Sequence, residues 1–485
     1  MKILIKNFGP IHEFEFDLEK DLHVIYGENS IGKSYISYVV YLLLKNLKNP
    51  VYDFCNVENY NETELFVDNI IQSKPKKVNI TKDVEIIMQK ELQKSLVPNL
   101  VNSLSNTFDS LNHLKNEYSK QDFQIIVRRN SVEYQLRFVN NQLLVEYLKF
   151  IDDTTYEIVQ RKTKDMQYAL HKFGRKLENR DDSIVHTLYR FGKKFENRDD
   201  SIVNAVFTEI SNITSRNIGS SSLGLLRELH FLPSSRSGLH IGLSAFTPIL
   251  AELSQNRFFL TKKTISLPTL SEPIADYYRD LATIDTNNQN EKMAKIIAKI
   301  EKTILNGMIT YNTKTSAIEY TNSQTSIQVD IEKASSMISE LAPLLLFLKH
   351  IVDFKNPQYV SRFFKMDFRF YSILFIEEPE AHLHPKIQVQ LMEIFAELTK
   401  VGVKVVMTTH SNYMFNKLSN MLLKKEIEVD KVGSYHLVMT DKGSVVNPDM
   451  QATEEGMEDH NFVDTAEELY NERLLAYETL NAITH

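Results

Sequence analysis

The sequence predicts a mixed α/β fold: a phosphate-loop core built on a mixed sheet, an antiparallel annex, and large helical insertions. Three observations predict it. Apolar Leu22–Tyr26 runs into Gly27-Glu28-Asn29-Ser30-Ile31-Gly32-Lys33-Ser34 and then into an apolar helix reaching about Leu47. Apolar Ile373–Ile376 runs into Glu377 and Glu378, and Val405–Met407 runs into Thr408-Thr409-His410-Ser411. Short, fully apolar strands ending in polar side chains mark a parallel sheet buried on both faces, whose ligands gather at the carboxyl ends.

Taken in order, Lys2–Asn7 alternates like a strand, Gly9-Pro10 breaks it, and Phe14–Phe16 and Leu22–Tyr26 follow, so residues 1–50 open a sheet covered by a helix. From about Asn49 the pattern turns mostly helical and polar, which makes 51–122 an expected helical insertion. Phe123–Val127, Val132–Phe138 and Leu143–Val145 alternate around Asn130-Ser131 and Asn140-Asn141 turns, predicting antiparallel strands over 123–150. Residues 151–224 are expected to be a second helical insertion. It carries a tandem duplication: Phe173-Gly-Arg-Lys-Leu-Glu-Asn-Arg-Asp-Asp-Ser-Ile-Val185 recurs, nearly unchanged, as Phe191 to Val203, 18 residues on. Eighteen residues make five helical turns, so a continuous helix would gain about 27 Å and keep its buried face. Charges of both signs in each copy favour a solvated face, with a nucleic-acid or partner surface as the alternative.

The core resumes at about 225 and runs to 450. Leu229–Leu232 reads as a strand entering Pro233-Ser-Ser-Arg236. A lobe over 262–333, mostly helical from Glu272 to about Leu305 with strand-like Ala317–Tyr320 and Ser326–Ile331, leads to a helix after Ala334. Antiparallel-looking Phe363–Tyr371, a helix from about Pro385 to Thr399, and a hairpin over Val432–Val446 complete the core; within 451–485, Asp464 to about Ala482 closes the chain as an amphipathic helix.

Composition narrows the function classes. The 56 Lys and Arg residues against 63 Asp and Glu leave a formal charge of −7, which argues against an overall nucleic-acid coating but not against a local basic face. The longest strongly apolar stretch, Tyr35–Leu44, is about half of the ~20 residues a membrane-spanning helix needs, so no membrane segment is expected. An alternating N-terminus without a signal-like apolar core, and a lone Cys55 that permits no disulfide framework, point to the cytoplasm.

Gly27 to Ser34 fits G-x-x-x-x-G-K-[ST] in the required context, after a strand and opening a helix. Its N–H groups suit phosphates, Lys33 the β and γ phosphates, and Ser34 a Mg²⁺ ion, so ATP and Mg²⁺ are the expected ligands. Of the two adjacent carboxylates, Glu377 suits the metal and Glu378 the attacking water. His410, just beyond a buried strand, is placed to bond the γ-phosphate or that water. His382 and His384 invite a metal reading, but His-x-His in a turn ending at Pro385, with no second histidine cluster, does not complete a site.

With these segments in hand, the chain resembles the ABC-type ATPases, and within them the overcoming-lysogenization-defect (OLD-like) and SMC-related group. Gly27 to Ser34, Glu377-Glu-Pro-Glu-Ala-His-Leu-His-Pro385 and Thr408-Thr-His-Ser411 carry the resemblance, over roughly residues 1–50 and 225–420. It implies an ABC-ATPase head in which Lys33 and Ser34, Glu377, Glu378 and His410 are the phosphate-loop, magnesium, catalytic and switch residues. It further implies a signature segment that caps the nucleotide of a second subunit. Ala334-Ser335-Ser336-Met337 resembles that segment, with Met337 where similar proteins have glycine, leaving Ser335 and Ser336 to meet the phosphate. Arg236 is a candidate contact to phosphate or to a neighbouring carboxylate, with a structural ion pair as the equal alternative.

The resemblance implies a homodimer or higher oligomer built through the ATP sites. OLD-like nucleases carry a following metal-binding domain of about a hundred residues, whereas 75 residues follow His410 in this chain of 485 and contain no Asp-x-Asp, so no nuclease is expected here. In size and motif order the chain resembles the ATPase subunits of the anti-phage systems Septu and PARIS, which implies a separate nuclease or toxin partner. A RecF- or SMC-like DNA-repair clamp is the alternative. Because the duplication is read as a solvated surface, deleting residues 186–203 is expected to leave the far-UV circular dichroism and thermal midpoint of the protein close to those of the full chain.

Overall fold

The computed structural model describes residues 1–48, 77–129, 131–151, 155–161, 167–173, 226–242, 270–287, 290, 292–313, 315, 317–352, 371–458 and 463–483. Cys55, the stretch Phe363–Phe370 and the tandem repeat beyond its leading Phe173 lie outside the described residues. The chain begins β1 (Lys2–Phe8), β2 (Ile11–Asp17), β3 (Leu22–Gly27) and helix α1 (Lys33–Lys48). It continues with β4 (Lys77–Asn79), α2 (Thr81–Phe108), β5 (Gln124–Arg129), β6 (Val132–Val139), β7 (Gln142–Phe150), β8 (Thr155–Arg161), β9 (Gln167–Phe173) and β10 (Leu226–Leu232). Then come α3 (Glu272–Ala282), α4 (Ala294–Ile300), β11 (Gly307–Asn312), β12 (Ala317–Asn322), β13 (Gln328–Asp330), α5 (Ser336–Leu346), β14 (Tyr371–Glu377), α6 (Pro385–Lys400), β15 (Val403–Thr409), α7 (Asn412–Leu423), β16 (Val432–Thr440), β17 (Gly443–Val446) and α8 (Val463–Ile483). Two compact units form, one from residues 1–17 with 42–225, the other from 18–41 with 226–485.

In the first unit β2, β1, β5, β6 and β7 pair antiparallel in that order. Helix α2 shields the outer strand. Gln89 donates to Val145 O at 2.8 Å, Gln93 accepts from Val145 N at 2.8 Å, and Glu85 accepts from Phe150 N at 2.8 Å. Backbone groups that would otherwise form an open sheet edge are thereby met by side chains. Phe8, Phe108, Phe123 and Phe138 stack within the core, with Phe8 edge-on to Phe123 at 5.3 Å.

The stretch 151–224, expected to be helical, departs from that expectation where it is described: β8 and β9 pair antiparallel and β4 adds to β8. The reason is visible in Thr155-Tyr-Glu-Ile-Val-Gln-Arg161, where β-branched and aromatic residues outnumber good helix formers, and where β9 supplies a partner. β4 likewise places strand inside 51–122, the rest of whose described part is mostly α2. The lobe over 262–333 is also mixed, with α3 and α4 followed by the antiparallel sheet β11-β12-β13.

The second unit carries β10, β14, β15, β3 and β16, all parallel, with β17 turning back antiparallel on β16. β3 is buried along its whole length, and β14 is buried from Ser372 to Glu377. Helix α6 opens at His384, whose ring Nδ1 accepts from Lys386 N at 3.2 Å, with Pro385 in the first turn where its missing N–H costs nothing. Its Leu391, Met392, Ile394, Phe395 and Leu398 enter the core. The fold is thus mixed α/β, with a parallel phosphate-loop sheet. Among the described residues no helix is long and apolar enough to cross a membrane.

His23 sits in the middle of this sheet with no exposed surface. Its Nε2–H donates to Lys20 O at 3.3 Å and its Nδ1 accepts from the Tyr435 hydroxyl at 3.2 Å, the pattern of a neutral imidazole. Burial, helped by the Lys404 cation, lowers its pKa to about 3. Below pH 6.5 the unfolded chain therefore takes up a proton that the folded chain refuses, and stability falls as pH drops. Between pH 7 and pH 5 this costs about 2 kcal/mol. In His23→Gln, urea titrations at the two pH values are expected to show a loss of unfolding free energy smaller than wild type by about that amount.

Candidate active site

Strand register sets the site. Tyr26 on β3 pairs with Thr409 on β15, and Thr408 pairs with Glu377 on β14, so the segments after Gly27, Glu377 and Thr409 leave neighbouring strands at one edge. Gly27 has φ of 144°, and a Cβ there would lie 2.7 Å from Leu437 O, so this turn requires glycine. Gly32 has φ of 102°. The Ser444 hydroxyl of β17 donates to Ile31 O at 2.6 Å and supports the loop from below. Glu28, Asn29, Ser30 and Ser34 are exposed, and the first turn of α1 has no acidic residue, leaving its N–H groups favourable to an anion.

Lys33 is 6% exposed, with Nζ donating to Gly27 O at 2.9 Å and Glu28 O at 2.6 Å. Burial lowers its pKa to about 8, against the opposing pull of Glu378, Glu380 and Glu28. It remains mostly cationic at neutral pH.

Glu377 is 2% exposed. The Tyr38 hydroxyl donates to its Oε2 at 3.2 Å, while its buried Oε1 has no hydrogen-bond partner. Burial pushes its pKa up, partly countered by the Ser34 and Tyr38 hydroxyls. A desolvated, unpartnered carboxylate oxygen beside the Ser34 hydroxyl is an all-oxygen donor set that fits a hard cation such as Mg²⁺.

Glu378 has φ of 42°, an uncommon backbone for a residue with a side chain, held by its N–H to Thr408 O at 3.0 Å. Its half-exposed carboxylate lies 3.9 Å from His410 Nε2. Burial and the Lys33 cation lower the His410 pKa, with Glu378 opposing, so the ring is neutral near pH 7. Ser411 caps α7 through Met414 N at 3.0 Å, which fixes the end of the His410 segment. Of the two other histidines considered, His384 is the cap of α6, His382 is exposed, and no group of three metal-capable side chains occurs among the described residues.

Ser335 is the N-cap of α5 without a side-chain cap bond, and both it and Ser336 are exposed. Met337 lies partly buried against the hydrophobic core, giving this side chain a packing role.

The sequence profile of the AAA ATPase domain family matches residues 1–415. This chain belongs to that family. No curated protein matches it. Among solved structures, it is similar to the SMC head domain from Thermotoga maritima at 9% identity and a TM-score of 0.32, over 92% of this chain and 97% of that one. An Smc head bound to the C-terminal winged-helix domain of ScpA is similar at 12% identity and a TM-score of 0.32, over 92% and 96%. An Smc head with an extended coiled coil bound to the C-terminal domain of ScpA, from Pyrococcus furiosus, gives 12% and 0.32, over 92% and 95%.

In this AAA ATPase domain Arg236 forms a buried ion pair. It is 1% exposed, and its guanidinium meets Glu340 Oε2 at 3.3 Å and donates to Glu340 O at 3.0 Å, Pro233 O at 3.0 Å, Glu377 O at 2.9 Å and Glu378 O at 3.4 Å. A planar fork with five donors suits such a set of carbonyls. Arg236 therefore positions the turn that carries both carboxylates. Sequence reasoning missed Tyr38, Glu340 and Ser444. Tyr38 carried a readable signal, since it follows Ser34 by one helical turn and so shares its face; Glu340 and Ser444 carried none, because their partners are distant in the chain. Replacing Lys33 by Ala is expected to weaken binding of a fluorescent ATP analogue at least about a hundredfold at neutral pH, with unchanged circular dichroism.

Proposed function

We propose that this AAA ATPase domain protein binds ATP with Mg²⁺ and hydrolyses it to ADP and phosphate, and that two copies pair head to tail around the nucleotides. The observation that carries the reading is the convergence of Lys33, the unpartnered Glu377 oxygen, and the Glu378–His410 pair at one edge of the parallel sheet. Gly27 to Ser34 hold the phosphates through backbone N–H groups, and Lys33 turns from the carbonyls of Gly27 and Glu28 to the phosphate oxygens. Ser34 and Glu377 hold Mg²⁺, which neutralises phosphate charge when bound. Glu378 orients the attacking water and accepts its proton, and neutral His410 donates a hydrogen bond to the γ-phosphate.

Ser335 and Ser336 of one copy cap the nucleotide held by the other, since exposed hydroxyls and open N–H groups at the start of α5 complement an anion. ATP then favours the paired state through its greater affinity for it, and hydrolysis loosens it. The resemblance to the ATPase subunits of Septu and PARIS supports a cytoplasmic anti-phage switch that holds or activates a separate nuclease or toxin.

Glu378→Gln is expected to bind ATP, to lose turnover by on the order of a hundredfold, and to accumulate as an ATP-dependent dimer in light scattering. Wild-type turnover in that variant would move the catalytic role elsewhere, and a monomer with ATP would remove the paired state. Affinity capture of this variant with ATP from its native operon is expected to bring down a stoichiometric protein that hydrolysis-competent protein releases. DNA without a protein partner would favour a repair clamp instead.

A further inference from the structure

Glu380 belongs to the acidic string, but the hydrolytic scheme above gives it no task. Its Oε1 accepts the backbone N–H of His410 at 2.6 Å, across 30 residues of chain, and its Oε2 is shut from solvent without a hydrogen-bond partner. The carboxylate thus bridges the turn after β14, which carries Glu378, to the segment after β15, which carries His410. Around this bridge the two segments are also tied by Glu378 N to Thr408 O at 3.0 Å and by the Thr409 hydroxyl acting on the Glu380 carboxylate, and beyond it by the Ser411 hydroxyl to Gln388 Oε1 at 2.5 Å. None of these three reaches His410 itself, whose imidazole sits 3.9 Å from the Glu378 carboxylate. Among these bonds, the one from Glu380 is made to the His410 backbone itself, and so bears on where the ring stands relative to Glu378.

We infer that Glu380 is a positioning residue for hydrolysis: an oxygen acceptor that locks His410 into reach of Glu378 and the γ-phosphate. The inference rests on the ATPase reading and on the roles of Glu378 and His410 within it. What matters is the acceptor oxygen rather than a negative charge. Burial raises the Glu380 pKa against the opposing His410 N–H, which fits a group working as an acceptor in a desolvated place. The phosphate loop is held by other bonds, from Ser444 and from the strand register, and Lys33 keeps Glu378 and Glu28 beside it when Glu380 is neutralised, so ATP binding leans on Glu380 only weakly.

The test compares wild type, Glu380→Ala, Glu380→Met and Glu380→Gln, each alone and in a His410→Ala background, by ATP dissociation constant and single-turnover hydrolysis with Mg²⁺. Glu380→Met fills the space without an acceptor and carries the test if the alanine variant does not fold. The expected result is a loss of about tenfold in the hydrolysis rate for Ala and Met, the scale of one buried hydrogen bond. ATP affinity is expected within about twofold of wild type, and Gln to recover the rate to within about threefold, because its amide oxygen accepts the same N–H. In the His410→Ala background the Glu380 substitutions are expected to add less than about twofold, since residues acting through one another do not add. Wild-type rates in Ala and Met, a full additional loss without His410, or a Gln variant as slow as Ala would each overturn the inference while leaving the ATPase reading intact. No hydrolysis by wild-type protein would overturn that reading first.

Discussion

Parallel strands buried along most of their length leave their connections only two places to go, the two ends of the strands. The register between β14, β15 and β3 then decides what arrives together at the carboxyl edge: Glu377 beside Thr408, and Thr409 beside Tyr26. A one-residue slip in either pairing would carry the carboxylate turn or the His410 segment about 3.3 Å along the strand and turn every side chain to the other face. Apolar side chains on both faces of these strands resist that slip. The geometry of the candidate site is therefore secured by the core rather than by the loops that bear it.

At this edge the electrostatics are demanding, and each charge is managed by a specific partner. Buried Arg236 would be costly alone; Glu340, with no exposed surface, pairs with it and also accepts from the backbone and hydroxyl of Ser237. Removing one member of such a pair typically costs about 3–5 kcal/mol, since the other charge is left without water. The guanidinium's remaining donors meet the carbonyls of Glu377 and Glu378, which helps to hold Glu378 at a positive φ. Because Glu340 lies on α5, the helix that begins at Ser335 and Ser336, this pair also ties that helix to the carboxylate turn. Lys33, depressed by burial, is kept cationic by the acids around it.

The segments of the candidate site were legible in the chain. A glycine loop between a strand and a helix, and apolar strands ending in acids or in His410, are local patterns whose physical meaning does not depend on distant residues. The order of strands in the parallel sheet was not legible, and neither was the strand pair β8–β9, which charged surroundings disguised as helix. Arg236 shows the boundary clearly. Its residue type and place announced an anion partner, but the carboxylate that pairs with it, Glu340, lies 104 residues on. Glu380 was visible as part of the acidic string, yet its bond to the His410 N–H exists only because β14 and β15 lie side by side.

By itself, then, the sequence determined the local form of the segments at the candidate site, because backbone conformation and side-chain type are local: Gly27 and Gly32 bend the loop, Lys33 opens the helix, and Glu377 and Glu378 end a strand too apolar to be anywhere but inside. The tertiary structure alone decided which charges are desolvated, which carboxylate oxygen lacks a partner, and which side chains hold others in place. Those properties depend on what packs around each group from elsewhere in the chain, and burial, which sets the cost of an unpaired charge, is a property of the folded whole.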